Sequence, residues 1–399
     1  MTRLVLILSL FVIGAALAAP KLLEQKAEPG PVSSADAAEP LPATPVPEPE
    51  SRVRPASDRD EFAAWKAEEP KEKAPKAVKT VDVEIAIDTD PVVFVPDGDE
   101  FVVDDVDGSE EAKGSGSAPT QSPSAGSSGS VARDTGPIRA AFYYPWFPRA
   151  WTQDGVYPFS KYKPSLGYYE SSDPGVILAH IGAMQYGNVD AGISSWWGPS
   201  DFTDDNFATI LAASSGTGFH WAIYYELEGT ANPGVAQIQA DLAYVQARYA
   251  SDASYLKIDS RFVVFVFAGS DDGCEMADRW REAAPINAYV VLEGFAGYKK
   301  CESQPDSWHV YDPFAGASNL VPQSYSISPG YSKLGDSSEV ARDLARWREN
   351  AAGMALSGAR LQLVVSFNEW GEGSAVESSD TWATSSGYGA YLDVLHELP

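Results

Sequence analysis

A (β/α)8 TIM barrel is the fold predicted for residues 137–399, and three observations predict it. Eight short strand-like runs recur over about 260 residues, and helical segments with their own start and stop signals separate many of them. Each run is apolar at both alternating positions, as strands covered on both faces must be. The length and rhythm suit an eightfold βα repeat. A doubly wound open sheet is the alternative, but no GxGxxG turn follows an early strand.

The runs are AAFYYPWF from Ala140, AGISSWWG from Ala191, HWAIYYELEG from His220 and RFVVFVFAG from Arg261. AYVVLEGFAG from Ala288, WHVYDPF from Trp308, QSYSISPGY from Gln323 and LQLVVSFNEW from Leu361 complete them. After the first run, SSDPGVILAHIGAMQYG predicts a helix with Asp173 as N-cap and Pro174 at its first position. Ile177, Ile181 and Met184 share one face, and Gly187 closes it. Before the last run, SEVARDLARWRENAAGMALSG puts Val340, Leu344, Trp347 and Ala351 on a stripe, with Gly358 beyond. Between Trp308 and Gln323 there is little room for a helix, so one crossover is expected to be irregular.

The C-terminal strand ends of such a barrel form its working face. That rule gathers Trp146, Trp196, Trp197, Glu226, Asp312, Glu369 and Glu372 there. In VVSFNEWGEGSAVE the chain runs from apolar residues straight into Glu369 and Glu372, with Trp370 between them. Glycoside cleavage needs one carboxyl group to protonate the leaving oxygen and another to assist departure. Burial among Trp and Tyr rings would raise one pKa while donors keep the other group ionised. The alternative is a pair of rim carboxylates matched by Arg or backbone amides.

The 29 Lys+Arg and 56 Asp+Glu leave a formal charge of -27, which repels nucleic acid and anionic membrane. The aromatics, 12% of the chain with 11 Trp and 19 Tyr, concentrate after residue 140, where they can stack on sugar faces or fill a core. The N-terminus, MTRLVLILSLFVIGAALAAP, has one basic residue before an apolar run and Ala16-Leu17-Ala18 at its end. It is expected to be a signal peptide over 1–18, with an uncleaved signal-anchor as the alternative and membrane contact only in that case. Residues 19–136 are rich in Pro, Ala, Glu, Ser and Gly and are expected to be a disordered acidic segment. It contains a possible hairpin at 79–108 and a Gly/Ser linker from Gly114 to Ser130. The two cysteines, Cys274 and Cys301, suit one disulfide in an oxidising compartment, the alternative being two buried thiols. His180, His220, His309 and His396 are scattered, so neither a metal site nor a cofactor is expected.

NEWGEG, AFYYPWF, PSLGYYESSDP, ISSWWG and AIYYE together resemble glycoside hydrolase family 99, the endo-α-1,2-mannosidases and related retaining α-mannan hydrolases. The resemblance spans about Ile138 to Pro399 and implies a (β/α)8 barrel. It implies that Glu369 deprotonates the mannose 2-hydroxyl, whose oxygen attacks the anomeric carbon to give a 1,2-anhydro sugar. Glu372 would protonate the leaving oxygen and then activate water. Glu226 would bind sugar, as would Tyr144, Trp146, Trp196 and Tyr311; Trp197, Tyr224 and Asn368 are further candidate substrate-binding residues. Three departures bear on the substrate: Tyr224 stands where the family has His, Ser378 follows Glu377 where the family tends to have Pro, and the first strand-to-helix loop, from Pro148 to Tyr162, is short. The expected protein is therefore a secreted, monomeric glycosidase acting inside α-linked, mannose-containing oligosaccharides or polysaccharides. The alternatives are an enzyme of surface-polysaccharide processing, a non-catalytic carbohydrate-binding barrel, and a chain whose acidic segment is the working part.

Overall fold

The computed structural model describes residues 136–269 and 272–399. The predicted leader 1–18, the possible hairpin at 79–108 and the linker Gly114–Ser130 lie outside the described residues, as does the acidic segment apart from Gly136. Among the described residues no helix is long and apolar enough to cross a membrane.

Each of the eight runs overlaps one barrel strand: β1 (Ile138–Tyr143), β2 (Ala191–Trp196), β3 (His220–Tyr225) and β4 (Arg261–Val266). The second half adds β5 (Ala288–Glu293), β6 (Ser307–His309), β7 (Ser324–Ile327) and β8 (Leu361–Val364). They hydrogen-bond in parallel in the order β6-β5-β4-β3-β2-β1-β8-β7. This is a barrel whose ladder stays open between β6 and β7. The open edge of β7 is covered by Ala317–Leu320, which pairs with it antiparallel. That hairpin is the irregular crossover expected after Trp308. A second one, between β5 and β6, carries only the 3-10 turn Tyr298–Lys300.

Helices α1 (Pro174–Tyr186), α2 (Phe202–Ala213), α3 (Val235–Arg248), α4 (Cys274–Ala283), α5 (Leu344–Leu356) and α6 (Ala390–His396) fill the other connections and the C-terminus. α1 starts as its sequence predicts: Asp173 Oδ1 accepts from Gly175 N at 2.7 Å, and Ile177, Ile181 and Met184 are buried. α5 starts one turn later than its apolar stripe suggests. Asp343 Oδ1 accepts from the N–H groups of Ala345 (2.8 Å) and Arg346 (3.1 Å), satisfying the free donors of the first turn there. Val340 instead belongs to the short strand Glu339–Val340, antiparallel to Tyr331–Ser332.

Strand alternation divides the core in two. Ala140, Phe142, Tyr144, Ile193, Tyr224, Phe265 and Leu363 pack inside the barrel. Tyr143, Trp196, Trp221, Tyr225, Val264 and Val364 face the helices. Gly192 on β2 lies under the Trp221 ring of β3, where an added Cβ would come within 2.1 Å of it, so the sheet and the large ring meet only over a glycine.

Cys274 and Cys301 form a disulfide with a Cα–Cα distance of 5.2 Å. Cys274 is the first residue of α4, and the bond ties that helix to the turn after β5.

Candidate active site

Parity decides which strand-end residues look into the barrel mouth. Tyr144 continues the inward series Ala140, Phe142 of β1, and Tyr224 with Glu226 continues that of β3. At the end of β2 the inward series passes through Ser195 to Trp197. A cleft opens there, lined by Tyr144, Trp146, Trp197, Tyr224, Glu226, Tyr311, Glu369 and Glu372. Gln153, Phe159, Thr230, Phe267, Lys333 and Gly371 complete its wall.

Three carboxylates therefore share one aromatic cleft. Glu226 and Glu369 are 5% and 6% exposed, against a half-buried Glu372. Glu369 is held by its backbone N–H, which donates to Ser366 Oγ at 2.8 Å, and its Oε2 has no hydrogen-bond partner among the described residues. Gly371 leaves room for its carboxyl, which lies 3.1 Å from where a Cβ would stand. Burial pushes the Glu369 pKa well above the ordinary carboxylate value, and the charges of Glu372 and Glu226 push the same way. Lys333 and the backbone N–H of Glu372 oppose them. Tyr311 donates to Glu372 Oε2 at 3.3 Å.

The aromatic wall is fixed from behind. The Tyr144 and Trp146 rings meet at 4.5 Å, and Trp146 Nε1 donates to Ser195 Oγ at 3.0 Å. Glu293, at the end of β5, accepts from Ala268 N (3.0 Å), Tyr311 N (3.3 Å) and the Tyr224 hydroxyl (3.5 Å), joining three strand ends beneath the cleft.

Trp196, Asn368 and Asp312 are not part of the cleft lining. Trp196 ends β2 with outward parity: it is fully buried against the helices, and its Nε1 donates to Asp204 Oδ1 at 2.9 Å. The WW pair hid this, although counting by twos from Ile193 reaches Trp197 and not Trp196. Asn368 lies behind the cleft, where its Oδ1 accepts from Tyr144 N at 2.7 Å. Asp312 closes a local turn by accepting from Phe314 N (2.9 Å) and Ala315 N (3.1 Å). Lys333, Phe159, Gln153 and Glu293 were missed. Lys333 arrives from the hairpin Tyr331–Val340, pinned where Ser332 N donates to Glu372 O at 2.8 Å. Nothing in the spacing of Lys333 announces that approach.

Fold and cleft together define a (β/α)8 barrel with a cluster of acidic residues at the C-terminal mouth. The chain matches no protein-family profile and no curated protein. Its fold is similar to that of the glycoside hydrolase family 99 endo-α-mannosidase from Bacteroides thetaiotaomicron. The Bis-Tris propane complex of that enzyme is 17% identical and has a TM-score of 0.54, over 65% of this chain and 95% of that one. A second structure of the same enzyme gives 16% identity and a TM-score of 0.51 over the same shares. At such identity the likeness establishes the barrel fold.

Proposed function

We propose that this protein is a retaining glycoside hydrolase that cleaves α-linked, mannose-containing glycans internally. The observation that carries the reading is the pairing of Glu369 and Glu372 in one aromatic-walled cleft, with opposite environments. A buried carboxylate of raised proton affinity is a stronger base toward a sugar hydroxyl than a solvated one. The more open Glu372, beside the Tyr311 hydroxyl, is placed to exchange protons with a leaving group and with water. Tyr144, Trp146, Trp197 and Tyr224 offer ring faces to the apolar sides of sugars, and Glu226 offers acceptors to their hydroxyls.

In the first step Glu369 takes the proton of the 2-hydroxyl, O2 attacks C1, and the C1–O bond to the leaving group breaks as Glu372 protonates that oxygen. The product is a 1,2-anhydro sugar. In the second step Glu372 deprotonates a water, which attacks C1 and opens the strained ring, and Glu369 returns its proton to O2. Two inversions at C1 give retention. The same raised proton affinity supports a second reading, in which Glu369 is the acid and Glu372 the ionised partner. Product analysis on a panel of α-mannans and glucosylated mannose oligosaccharides tests the proposal. Internal cleavage with retained anomeric configuration is expected. Sugar binding without turnover by any member would leave a carbohydrate-binding barrel.

A further inference from the structure

Trp370 stands between the two candidate catalytic glutamates, yet it is fully buried and contributes nothing to the cleft wall. Its indole N–H is directed away from the cleft, to Glu377 Oε2 at 3.0 Å and the Tyr169 hydroxyl at 3.1 Å. Tyr169 in turn donates to the same Glu377 oxygen at 2.7 Å. Asn368, on the other side of Glu369, donates from Nδ2 to the Tyr169 hydroxyl at 3.4 Å. The same amide clasps the backbone of Tyr144, accepting from its N–H at 2.7 Å and donating to its carbonyl at 3.1 Å. Glu377 N closes the loop on Phe367 O at 2.9 Å. His180 of α1 brings Nε2 to 3.3 Å from Glu377 Oε1 without hydrogen-bond alignment, and its Nδ1 lies 3.0 Å from the Tyr143 hydroxyl.

Burying a carboxylate this completely is costly unless donors compensate it; Trp370 and Tyr169 both donate to Oε2, and such buried bonds hold their members in one geometry. Burial and the Glu377 charge keep the Tyr169 pKa well above the ordinary phenol value, so Tyr169 stays a donor. Other buried carboxylates have different partners. Glu228 accepts from Trp280 Nε1 at 2.7 Å and pairs with Arg279, while Asp204 accepts from Trp196 and Tyr249. Neither bonds a residue adjacent to Glu369.

We infer that Glu377 is a positioning residue for the candidate catalytic loop. Through Trp370 directly and Asn368 by way of Tyr169, it sets the orientation of Glu369 and Glu372 and their register against Tyr144. The inference rests on the glycosidase reading of the cleft. A shift of about 1 Å in such groups is enough to cost roughly 10²-fold in rate. Glu377→Leu, which keeps bulk and removes both acceptors, is expected to lower kcat of the folded enzyme by about 100-fold with KM nearly unchanged. Glu377→Gln, which retains one acceptor oxygen, should restore most of the rate. Near-UV circular dichroism establishes that each variant is folded, because a purely structural role would lower stability and leave kcat of the folded fraction intact. Tyr169→Phe, which removes only the shared hydroxyl, carries the test if Glu377→Leu does not fold, and should lose about 10-fold in kcat. Folded variants with wild-type kcat would overturn the inference. If the wild type turns over no glycoside, the glycosidase reading fails and the crystal structure of the folded variant decides. Displacement of the Glu369 carboxyl by more than about 1 Å supports positioning, and an unmoved carboxyl overturns it.

Discussion

Taking water from Glu369 while leaving Glu372 and Glu226 nearby makes its ionised form costly, and this has two measurable consequences. The folded pKa lies above the unfolded one, so the stability from the protonated form is complete below the unfolded value. It is lost as pH rises through the folded value. Glu369→Gln cannot ionise and should unfold at a higher temperature than the wild type at pH 7, by roughly 2–4 °C per kcal/mol relieved. The gap should close as pH falls toward the ordinary carboxylate range; equal melting temperatures at neutral pH would contradict the burial account. A base must also be ionised to act. The acid limb of kcat/KM is therefore expected above about 4.3, the value of an unperturbed Glu. An alkaline limb controlled by Glu369 would favour the second reading, with Glu369 as the acid. Leaving groups separate the roles further. Glu372→Gln should lose about 10²–10⁴-fold on ordinary glycosides and recover much of the rate on activated ones, which need little protonation. Glu369→Gln should depress both, because the 2-hydroxyl base acts whatever group departs. Efficient turnover of a 2-deoxy substrate would sink the anhydro-sugar route.

Among the elements, α4 is held at its first turn and at its middle by different chemistry. Cys274 joins its first turn to the segment after β5, while Arg279 and Trp280 reach Glu228 in the single turn Glu228–Ala231. The cysteines are 27 residues apart, a loop whose closure is worth about 3–4 kcal/mol in the chain-entropy account. Replacing both by Ser should cost about that much in denaturant unfolding. kcat should stay unchanged, since neither cysteine lines the cleft. A fall in kcat without loss of stability would mean that α4 communicates with the site. The hairpin Tyr331–Val340 works differently: it brings Lys333 to the carboxylates, and Gly373, at φ +64°, lets Ser332 approach. Here a two-residue ladder positions a charge that no barrel strand could reach.

At the scale of the whole molecule, the described residues build a core of inner and outer clusters that runs from Ile138 to Leu395. A protein beginning near Thr135 is therefore expected to fold with the thermal midpoint and cleft chemistry of the full chain. An insoluble or molten product would show that the preceding segment contributes to the fold.

Much of this architecture is local and could be read from the residues in order. Runs apolar at both alternating positions mark the eight barrel strands because both faces of each strand are covered. Asp173-Pro174 marks the start of α1 because free N–H groups must find an acceptor within the first turn. Glu369 and Glu372 could be placed at the mouth because they directly follow a buried strand. Parity at a strand end was harder to see in a WW pair, and it sent Trp196 to the helices and Trp197 to the cleft. What the one-dimensional pattern could not carry were contacts between residues distant along the chain. Lys333 beside Glu369, Glu293 beneath Tyr224 and Tyr311, and Glu377 behind Trp370 and Tyr169 are such contacts. A carboxylate's proton affinity depends on how much water the fold removes and which charges it brings near. Those quantities exist only once the barrel has closed around them.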